Sequence, residues 1–348
     1  MPSQPPLPPL LASYVSNLPD SSLTLVSSIL GATSNWLVLR FLHAALSSPS
    51  PNVAFGSDEH NGTKKKVVLV SFMRSYEFWR AEAKRLGLDL ARLADKQQFA
   101  FIDGLSELFY APQATATPPS ISPAGLGSSP RTTLPMRSAP GTVPGRSPQP
   151  MAPTATGVRG NVTPKQAEPG ISKKLHFSGR GLASLDALEK DILSVIEQQK
   201  SSMEDGDELL LIIDQPDLLL AATGPSMGIG ATEMSEWITA LQQHAHATVL
   251  TLATDAPLIH NASTSGEQVA TPIETEHAAL VIGLAHRARS VMQLRTLDTG
   301  AAKDVSGVLR ISRGGGLNTS EEESLEEREA LYFIQRDGGV KVFGRGES

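Results

Sequence analysis

The 348-residue chain contains no cysteine. Disulfides, thiolate metal sites and cysteine nucleophiles are therefore excluded, and a cytosolic or nuclear protein is favoured. No run reaches the roughly 20 apolar residues that a membrane span requires, since AALVIGLA at 278–285 is too short. The opening residues MPSQPPLPPLLASY also lack the basic start and apolar core of a secretory signal. We therefore expect no association with a membrane.

Basic residues are scarce over most of the chain, whose net charge is −6. Residues 111–170 carry five basic residues and one acidic residue, whereas the remainder carries 25 basic and 35 acidic residues, a net charge of −10. A region this acidic attracts nucleic acid weakly through its overall field. Any RNA contact must therefore be local or shared with partner subunits.

Proline is concentrated in the same segment. Residues 111–170 hold 13 of the 25 prolines, among Ser, Thr, Ala and Gly, and show no apolar periodicity. Such a segment cannot offset the entropy of its own ordering by burying apolar surface. The sequence therefore predicts flexible residues 1–10, then a single domain over 11–345, interrupted by a disordered insertion at 111–170.

Strand and helix patterns alternate along the predicted domain. Continuous apolar runs predict buried strands near 23–30, 64–72, 99–103, 209–213 and 247–255. Helical spacing predicts helices near 36–46, 75–87, 184–200, 216–224 and 232–244, and polar loops are predicted at 224–231 and from 256 to about 271. Strand patterns at 290–297 and 307–313 and a hairpin pattern at 330–344 predict antiparallel strands at the end. The fold class is α/β, with three layers and a mostly parallel central sheet flanked by helices.

The stretch LLLIIDQPDLLL at 209–220 resembles the strand of a P-loop NTPase whose final carboxylate holds Mg²⁺, which makes Asp214 the candidate carboxylate. Such a site also needs the phosphate loop G-x-x-x-x-G-K-[ST] after the first strand. Gly31 is placed to be the first glycine, but the second glycine, the lysine and the hydroxyl residue fall on Trp36, Leu37 and Val38. The chain contains no Gly-Lys dipeptide. The sequence therefore predicts a degenerate phosphate loop and no ATPase activity.

Asp214 without a phosphate loop is weak support for a metal. Pro216 starts a helix directly after it, so the preferred interpretation is that Asp214 caps this helix. Arg74, with no acidic residue beside it, ends the second strand. The patterns G-x-S-x-G, H-E-x-x-H and the EF-hand loop are absent, and His244 and His246 lack a third ligand nearby. We predict no catalytic residue, no cofactor and no metal site.

Four segments are informative when taken together. They are VVLVSFMRSYEFWRAEAKRLGLDLARLADKQQFAFIDGLSELF at 67–109, LLLIIDQPDLLLAATG at 209–224, ATVLTLATDAPL at 247–258 and LAHRARSVMQLRTLDTGAAKDVSGVLRISRGG at 284–315. Together they resemble fungal forms of the sixth subunit of the Elongator complex, over roughly 20–110 and 172–345. The block LDTGAAKDVSGVLRISRGG at 297–315 is the most specific part.

The resemblance implies a RecA-like fold without phosphate-binding motifs and a non-catalytic role. It implies assembly with the fourth and fifth Elongator subunits into a hetero-hexameric ring, a dimer of heterotrimers. That ring would attach to the catalytic Elongator subcomplex and bind tRNA during modification of the wobble uridine. The modification chemistry would belong to another subunit, in the cytoplasm or the nucleus.

The resemblance also suggests where contacts form. In RecA-like rings the phosphate site lies at a subunit boundary, so Trp36, Leu37 and Val38 either form an apolar contact with a partner or simply start a buried helix. RecA-like folds contact nucleic acid through loops that correspond here to 215–231 and 256–271, neither of which contains Lys or Arg. The candidate RNA-proximal residues are His260 and Asn261 in the second loop, and Arg295, Lys303, Arg310 and Arg313 in the C-terminal strands.

Two other functions remain open at this point. The chain could be a RecA-like ATPase whose site is atypical or completed by a partner, although the missing Gly-Lys argues against it. Alternatively it could be a scaffold that acts through its Pro-rich insertion.

Overall fold

The computed structural model describes residues 7–47, 64–110, 170–259, 269–298, 300, 302–316, 325–344 and 346. All of them belong to one of the two units into which the chain divides, the unit formed by residues 1–110 and 168–348. The predicted insertion at 111–170, except Gly170, lies outside the described residues, as do residues 1–6 of the predicted flexible start. The first helix begins at Pro9, two residues before the predicted start of the domain.

The described strands form one ten-stranded sheet. They are β1 Ser22–Ser28, β2 Lys65–Ser71, β3 Phe99–Asp103, β4 Lys173–Lys174, β5 Glu208–Asp214, β6 Ala247–Ala253, β7 Ser290–Arg295, β8 Gly307–Arg313, β9 Arg328–Ile334 and β10 Val340–Phe343. Their order is β10-β9-β8-β7-β1-β6-β5-β2-β3-β4. Strands β7 to β4 in this order are parallel, and β8, β9 and β10 extend the sheet with antiparallel pairing. The predicted fold class is confirmed.

Helices cover both faces of the parallel strands. They are α1 Pro9–Val15, α2 Asn35–Leu46, α3 Tyr76–Arg85, α4 Leu90–Asp95, α5 Leu182–Lys200, α6 Asp217–Thr223, α7 Ala231–Gln242, α8 Ala256–Ile259 and α9 Pro272–Arg287. Successive side chains of β5 point to opposite faces. Leu211 and Ile213 pack in the core beneath α5, α7 and α9, and Leu210 and Ile212 pack in the core beneath α1 to α4. This two-sided burial explains the continuous apolar run.

The two predicted loops contain regular structure. A short 3-10 helix at Pro225–Met227 lies within the Gly-rich stretch 224–231, and α8 opens the predicted loop that begins at residue 256. Residues 260–268 of that loop lie outside the described residues. At the end of the acidic stretch 321–329, Arg328 and Glu329 begin strand β9.

The three lysines at the start of β2 differ in their exposure to solvent. Lys66 is buried, and its ammonium group donates hydrogen bonds to the carbonyl oxygens of Gln199 and Ser202 at 3.0 and 2.9 Å. Burial lowers the pKa of Lys66. A cation at the end of α5 is favourable, because the last carbonyl groups of a helix carry partial negative charge. Only Lys64 and Lys65 retain exposure, and Lys65 is half-buried.

Candidate functional site

Buried polar residues line the edge at which the parallel strands end. Ser28, Ser71, Asp103 and Asp214 are the last residues of β1, β2, β3 and β5, and each is buried. Ligands of open α/β sheets bind outside the carboxyl ends of the strands. We call this side of the sheet the carboxyl edge. The carboxyl edge holds both parts of the predicted degenerate nucleotide site, the loop at Gly31 and the carboxylate of Asp214.

The Gly31 loop leads directly into the core of the domain. Gly31 has a φ of +89°, a value that favours glycine, and a bridge between Ile29 and Ala32 closes the turn. Trp36 is 3% exposed, and its ring lies 4.9 Å from that of Tyr332. Burial raises the pKa of Tyr332 to about 12.

This burial decides between the two interpretations of the loop. Leu37 and Val38 are completely buried within the chain's own core, together with Trp36. Side chains that the monomer already covers cannot supply an apolar contact to a partner. The three residues start a buried helix, and the interpretation as an intersubunit contact is wrong for them.

Asp214 forms an ion pair with Arg74. The Arg74 Nη1 lies 2.8 Å from Asp214 Oδ1 and 3.0 Å from Oδ2. Ser71 donates its hydroxyl to Oδ2 at 2.8 Å, and Thr251 donates to Oδ1 at 3.0 Å. Burial raises the pKa of the Asp214 carboxyl, and the arginine and the two hydroxyls oppose that shift. Strand order explains the cluster, because β5 lies between β2, which ends in Ser71, and β6, which contains Thr251.

The ion pair changes the role assigned to Asp214. The interpretation as a helix cap is wrong, because Pro216 is the N-cap of α6, without a side-chain cap hydrogen bond, and Asp214 binds Ser71, Arg74 and Thr251 instead. A carboxylate accepts about four hydrogen bonds, and Asp214 accepts four from these groups. The guanidinium thus neutralises the Asp214 carboxylate within the chain itself.

A second buried pair, which the sequence did not indicate, lies beside the first. Asp217 accepts a hydrogen bond from the backbone N–H of Ala253 at 3.2 Å, and His277 Nε2 lies 3.5 Å from the same Asp217 oxygen. Both side chains are buried. They connect the start of α6 to β6 and α9. Sixty residues separate them, so no local pattern could have revealed the pair.

Several large apolar side chains that follow the parallel strands are exposed near the carboxyl edge. Leu30 is 87% exposed, Tyr110 is 61% exposed and Phe109 is 54% exposed. Six exposed apolar residues each lie in the segment that follows a parallel strand. We call them the apolar edge residues: Leu30, Met73, Leu105, Phe109, Tyr110 and Leu218.

The described candidate RNA-proximal residues differ in their partners. Arg295 pairs with Asp298 at 2.8 Å and with Glu329 at 3.3 Å, which neutralises its charge locally. Arg313 donates its Nε–H to the carbonyl oxygen of Leu325. Lys303 and Arg310 are exposed. His260 and Asn261 lie outside the described residues.

Two comparisons with known proteins found no match. No protein-family model matches the chain, and no curated protein is significantly similar to it. In the part of the chain that the structure describes, no three His, Asp or Glu residues are grouped as a metal site would require. Within those same ranges, no helix is both long and apolar enough to cross a bilayer.

Proposed function

We propose that the chain is a non-catalytic structural subunit of a hetero-hexameric RecA-like ring of the Elongator type. Its ring partners are the fourth and fifth Elongator subunits. The ring attaches to the catalytic Elongator subcomplex and supports tRNA binding and wobble-uridine modification, in the cytoplasm or the nucleus. The resemblance of four sequence segments supports this identity, and the α/β fold is compatible with it.

The observation that carries the non-catalytic role is the Arg74–Asp214 ion pair. A metal-dependent NTPase needs this carboxylate to be free to hold Mg²⁺ through water. Here all the accepting capacity of Asp214 is used by three side chains of the same chain. Trp36 also occupies the locus where the second glycine of a phosphate loop would lie, and it is buried.

The apolar edge residues support an assembly role. An obligate interface is more apolar than ordinary protein surface. Arg74 is the single Lys or Arg in the described loops that directly follow β1, β2, β3 and β5, and it is held by Asp214. This edge therefore suits a protein partner better than a nucleic acid.

Native mass spectrometry of the chain purified from its source cell tests the proposal. The expected species is a hexamer with two copies of each of three related subunits. Leu30→Asp combined with Met73→Asp should release the chain from that hexamer, because it places two charges in the apolar edge. The matched control is Ile282→Asp combined with Ile334→Asp, two exposed apolar residues elsewhere, which should leave the hexamer intact.

Two outcomes would contradict the proposal. One is a chain that is monomeric in the native extract. The other is that the wild-type chain binds ATP and that Trp36→Ala or Asp214→Asn alters its affinity for ATP. That result would instead support an ATPase with an atypical or partner-completed site.

A further inference from the structure

A cavity lies at the opposite side of the sheet, where β5, β2 and β3 begin. Its volume is about 310 Å³, and its lining includes four lysines, Lys64, Lys65, Lys66 and Lys96. Glu204 and Asp207 are the acidic residues of the lining. Lys65 also pairs with Glu208, which does not line the cavity, so four lysines against three acids leave a local excess of one positive charge in a chain whose net charge is −6. We call this cavity the lysine cavity.

Two of the four lysines, Lys65 and Lys66, are held by groups of the folded core and its edge. Lys66 is buried and binds the end of α5 through the oxygens of Gln199 and Ser202. The ammonium group of Lys65 donates to the carbonyl oxygen of Ser16 at 2.8 Å and pairs with Glu208 at 3.0 Å. These contacts fix the side chains of Lys65 and Lys66 at the start of β2. The side chains of Lys64 and Lys96 are more exposed and can reorient towards a ligand.

Lys64 and Lys96 are exposed and available to a ligand. The ammonium group of Lys96 has no hydrogen-bond or ion-pair partner among the described residues. Lys64 pairs with Glu204 at 3.3 Å, but 56% of its side chain and 69% of that of Glu204 are exposed, so the pair is weak. The Asp207 carboxylate is engaged by the backbone N–H groups of Lys64 and Glu204.

Two glutamines add neutral hydrogen-bonding groups beside Lys96. Gln97 is exposed and Gln98 is half-buried, and both line the cavity. Gln97 has a φ of +56°, a conformation that residues other than glycine rarely adopt. Ammonium groups next to amide donors suit an oxyanion with several acceptor atoms, and phosphate is such an anion.

We propose that the lysine cavity binds backbone phosphates of RNA through Lys64 and Lys96. The inference rests on the proposed function, because RNA is the polyanion that this function brings to the chain. It assigns the RNA contact to the side of the sheet opposite the apolar edge, and not to the loops at 215–231 and 256–271. Six residue steps of about 3.3 Å along β2 separate the two sides by about 20 Å, so one subunit can hold a protein partner and RNA at once.

Fluorescence anisotropy with the full-length chain tests the inference. The probes are a labelled single-stranded oligouridylate and unmodified tRNA, titrated at several salt concentrations. Each phosphate contact on a single strand contributes a slope of about 0.7 in log affinity against log salt, or about fivefold in affinity at 0.1 M salt. Lys64→Gln combined with Lys96→Gln should therefore weaken oligouridylate binding about 25-fold and lower the slope by about 1.4.

The matched control is Lys84→Gln combined with Lys190→Gln, which removes the same charge from exposed positions outside the cavity and outside the candidate RNA-proximal residues. It should bind like wild type, and both double variants should keep the wild-type melting temperature. Equal loss in both variants, or a wild-type chain that binds neither RNA probe, would overturn the inference. Inorganic phosphate or uridine monophosphate competing as strongly as the oligouridylate would identify a small phosphate ester as the ligand and would overturn the assignment to RNA. If the chain still assembles into the hexamer in any of these three cases, only the inference about the lysine cavity fails. If the chain binds RNA through the cavity but forms no hexamer, only the proposed function fails.

Discussion

At the residue scale, the Arg74–Asp214 pair is unequal in its access to water. The Asp214 side chain is fully buried, whereas 12% of the Arg74 side chain is exposed and its guanidinium lies 5.7 Å from the ring centres of Phe78 and Trp79. A buried charge that loses its partner is destabilising because it is neither hydrated nor neutralised. The carboxylate therefore depends on the arginine more than the arginine depends on the carboxylate.

Arg74→Met should cost about 3–5 kcal/mol of unfolding free energy, because it leaves Asp214 as an unpaired buried carboxylate. Asp214→Asn should cost less, about 1–2 kcal/mol, because the amide still bonds Ser71 and Thr251 and Arg74 can reach water. Urea-induced unfolding of the full-length chain measures both values. The reverse ranking would mean that the pair does not provide the neutralising charge.

Added magnesium tests whether the Asp214 carboxylate can still bind a metal ion. The melting temperature of the wild-type chain should be the same with and without millimolar Mg²⁺, because Asp214 has no accepting capacity left. A magnesium-dependent rise that Asp214→Asn abolishes would contradict this expectation.

At the element scale, the end of β8 packs on the end of α9. The backbone N–H of Gly314 donates to the carbonyl oxygen of Arg289, and that of Gly316 donates to Ala288. A Cβ atom at Gly314 would overlap the carbonyl oxygens of Ala285 and Ala288. The run of glycines at 314–316 therefore lets the chain approach the helix end closely.

Gly314→Ala should destabilise the chain by about 1–3 kcal/mol or more, because the added methyl group meets backbone atoms that cannot move alone. The matched control is Gly283→Ala within α9, where an added Cβ meets open space. This control should stabilise the chain by up to about 1 kcal/mol, because alanine favours a helix more than glycine does. Thermal unfolding of the two variants should give shifts of opposite sign, and two shifts of the same sign would contradict the packing described.

The start of α9 carries a capping box that should respond to acid. The Thr271 hydroxyl accepts from the N–H of Glu274 at 3.3 Å, and the Glu274 carboxylate accepts from the N–H of Thr271 at 2.7 Å. These bonds lower the pKa of Glu274 below its ordinary value of 4.5. The stabilisation is therefore complete above 4.5 and is lost as the pH falls through the lower folded-state pKa.

NMR of the Thr271 amide during an acid titration checks this expectation. The signal should move with an apparent pKa below 4.5 in the wild-type chain. Glu274→Gln should remove the movement and keep the cap, since a neutral amide oxygen still accepts the bond. A titration at or above 4.5 would show that the bond does not form in solution.

At the scale of the whole molecule, the two chain segments that flank residues 111–167 are held by the larger unit. The backbone N–H of Ser172 donates to Phe101 at 2.9 Å, that of Leu175 donates to Asp103 at 2.8 Å and that of Phe177 donates to Leu108 at 2.6 Å. These three hydrogen bonds join β3 and the residues after it to β4 and its neighbours, and all of them are made by residues outside 111–167.

Replacing residues 111–167 by a short Gly/Ser linker should leave the melting temperature within a few degrees of wild type, since the replaced residues supply none of these bonds. Assembly into the hexamer and RNA binding should also persist. Native mass spectrometry and the anisotropy titration measure them. Loss of partner capture in a chain that still folds would favour the scaffold alternative.

The sequence by itself determined the buried strands and the absence of a phosphate loop. The apolar run at 209–213 predicts a strand covered on both faces, and the missing Gly-Lys dipeptide excludes the phosphate loop. Both are properties of contiguous residues, so chain order is sufficient to predict them. Helix α9 was not predicted, although Thr271, Pro272 and Glu274 form a recognisable helix start.

Only the tertiary structure decided what Asp214 and the lysines contact. Arg74 is 140 residues away from Asp214, and the two meet because β5 lies beside β2. Lys66 is buried because the end of α5 lies over the start of β2, which no pattern in KKKVV reveals. The order of strands in a sheet depends on how all the elements pack together. Contacts between neighbouring strands therefore depend on the fold as a whole and not on any local stretch of sequence.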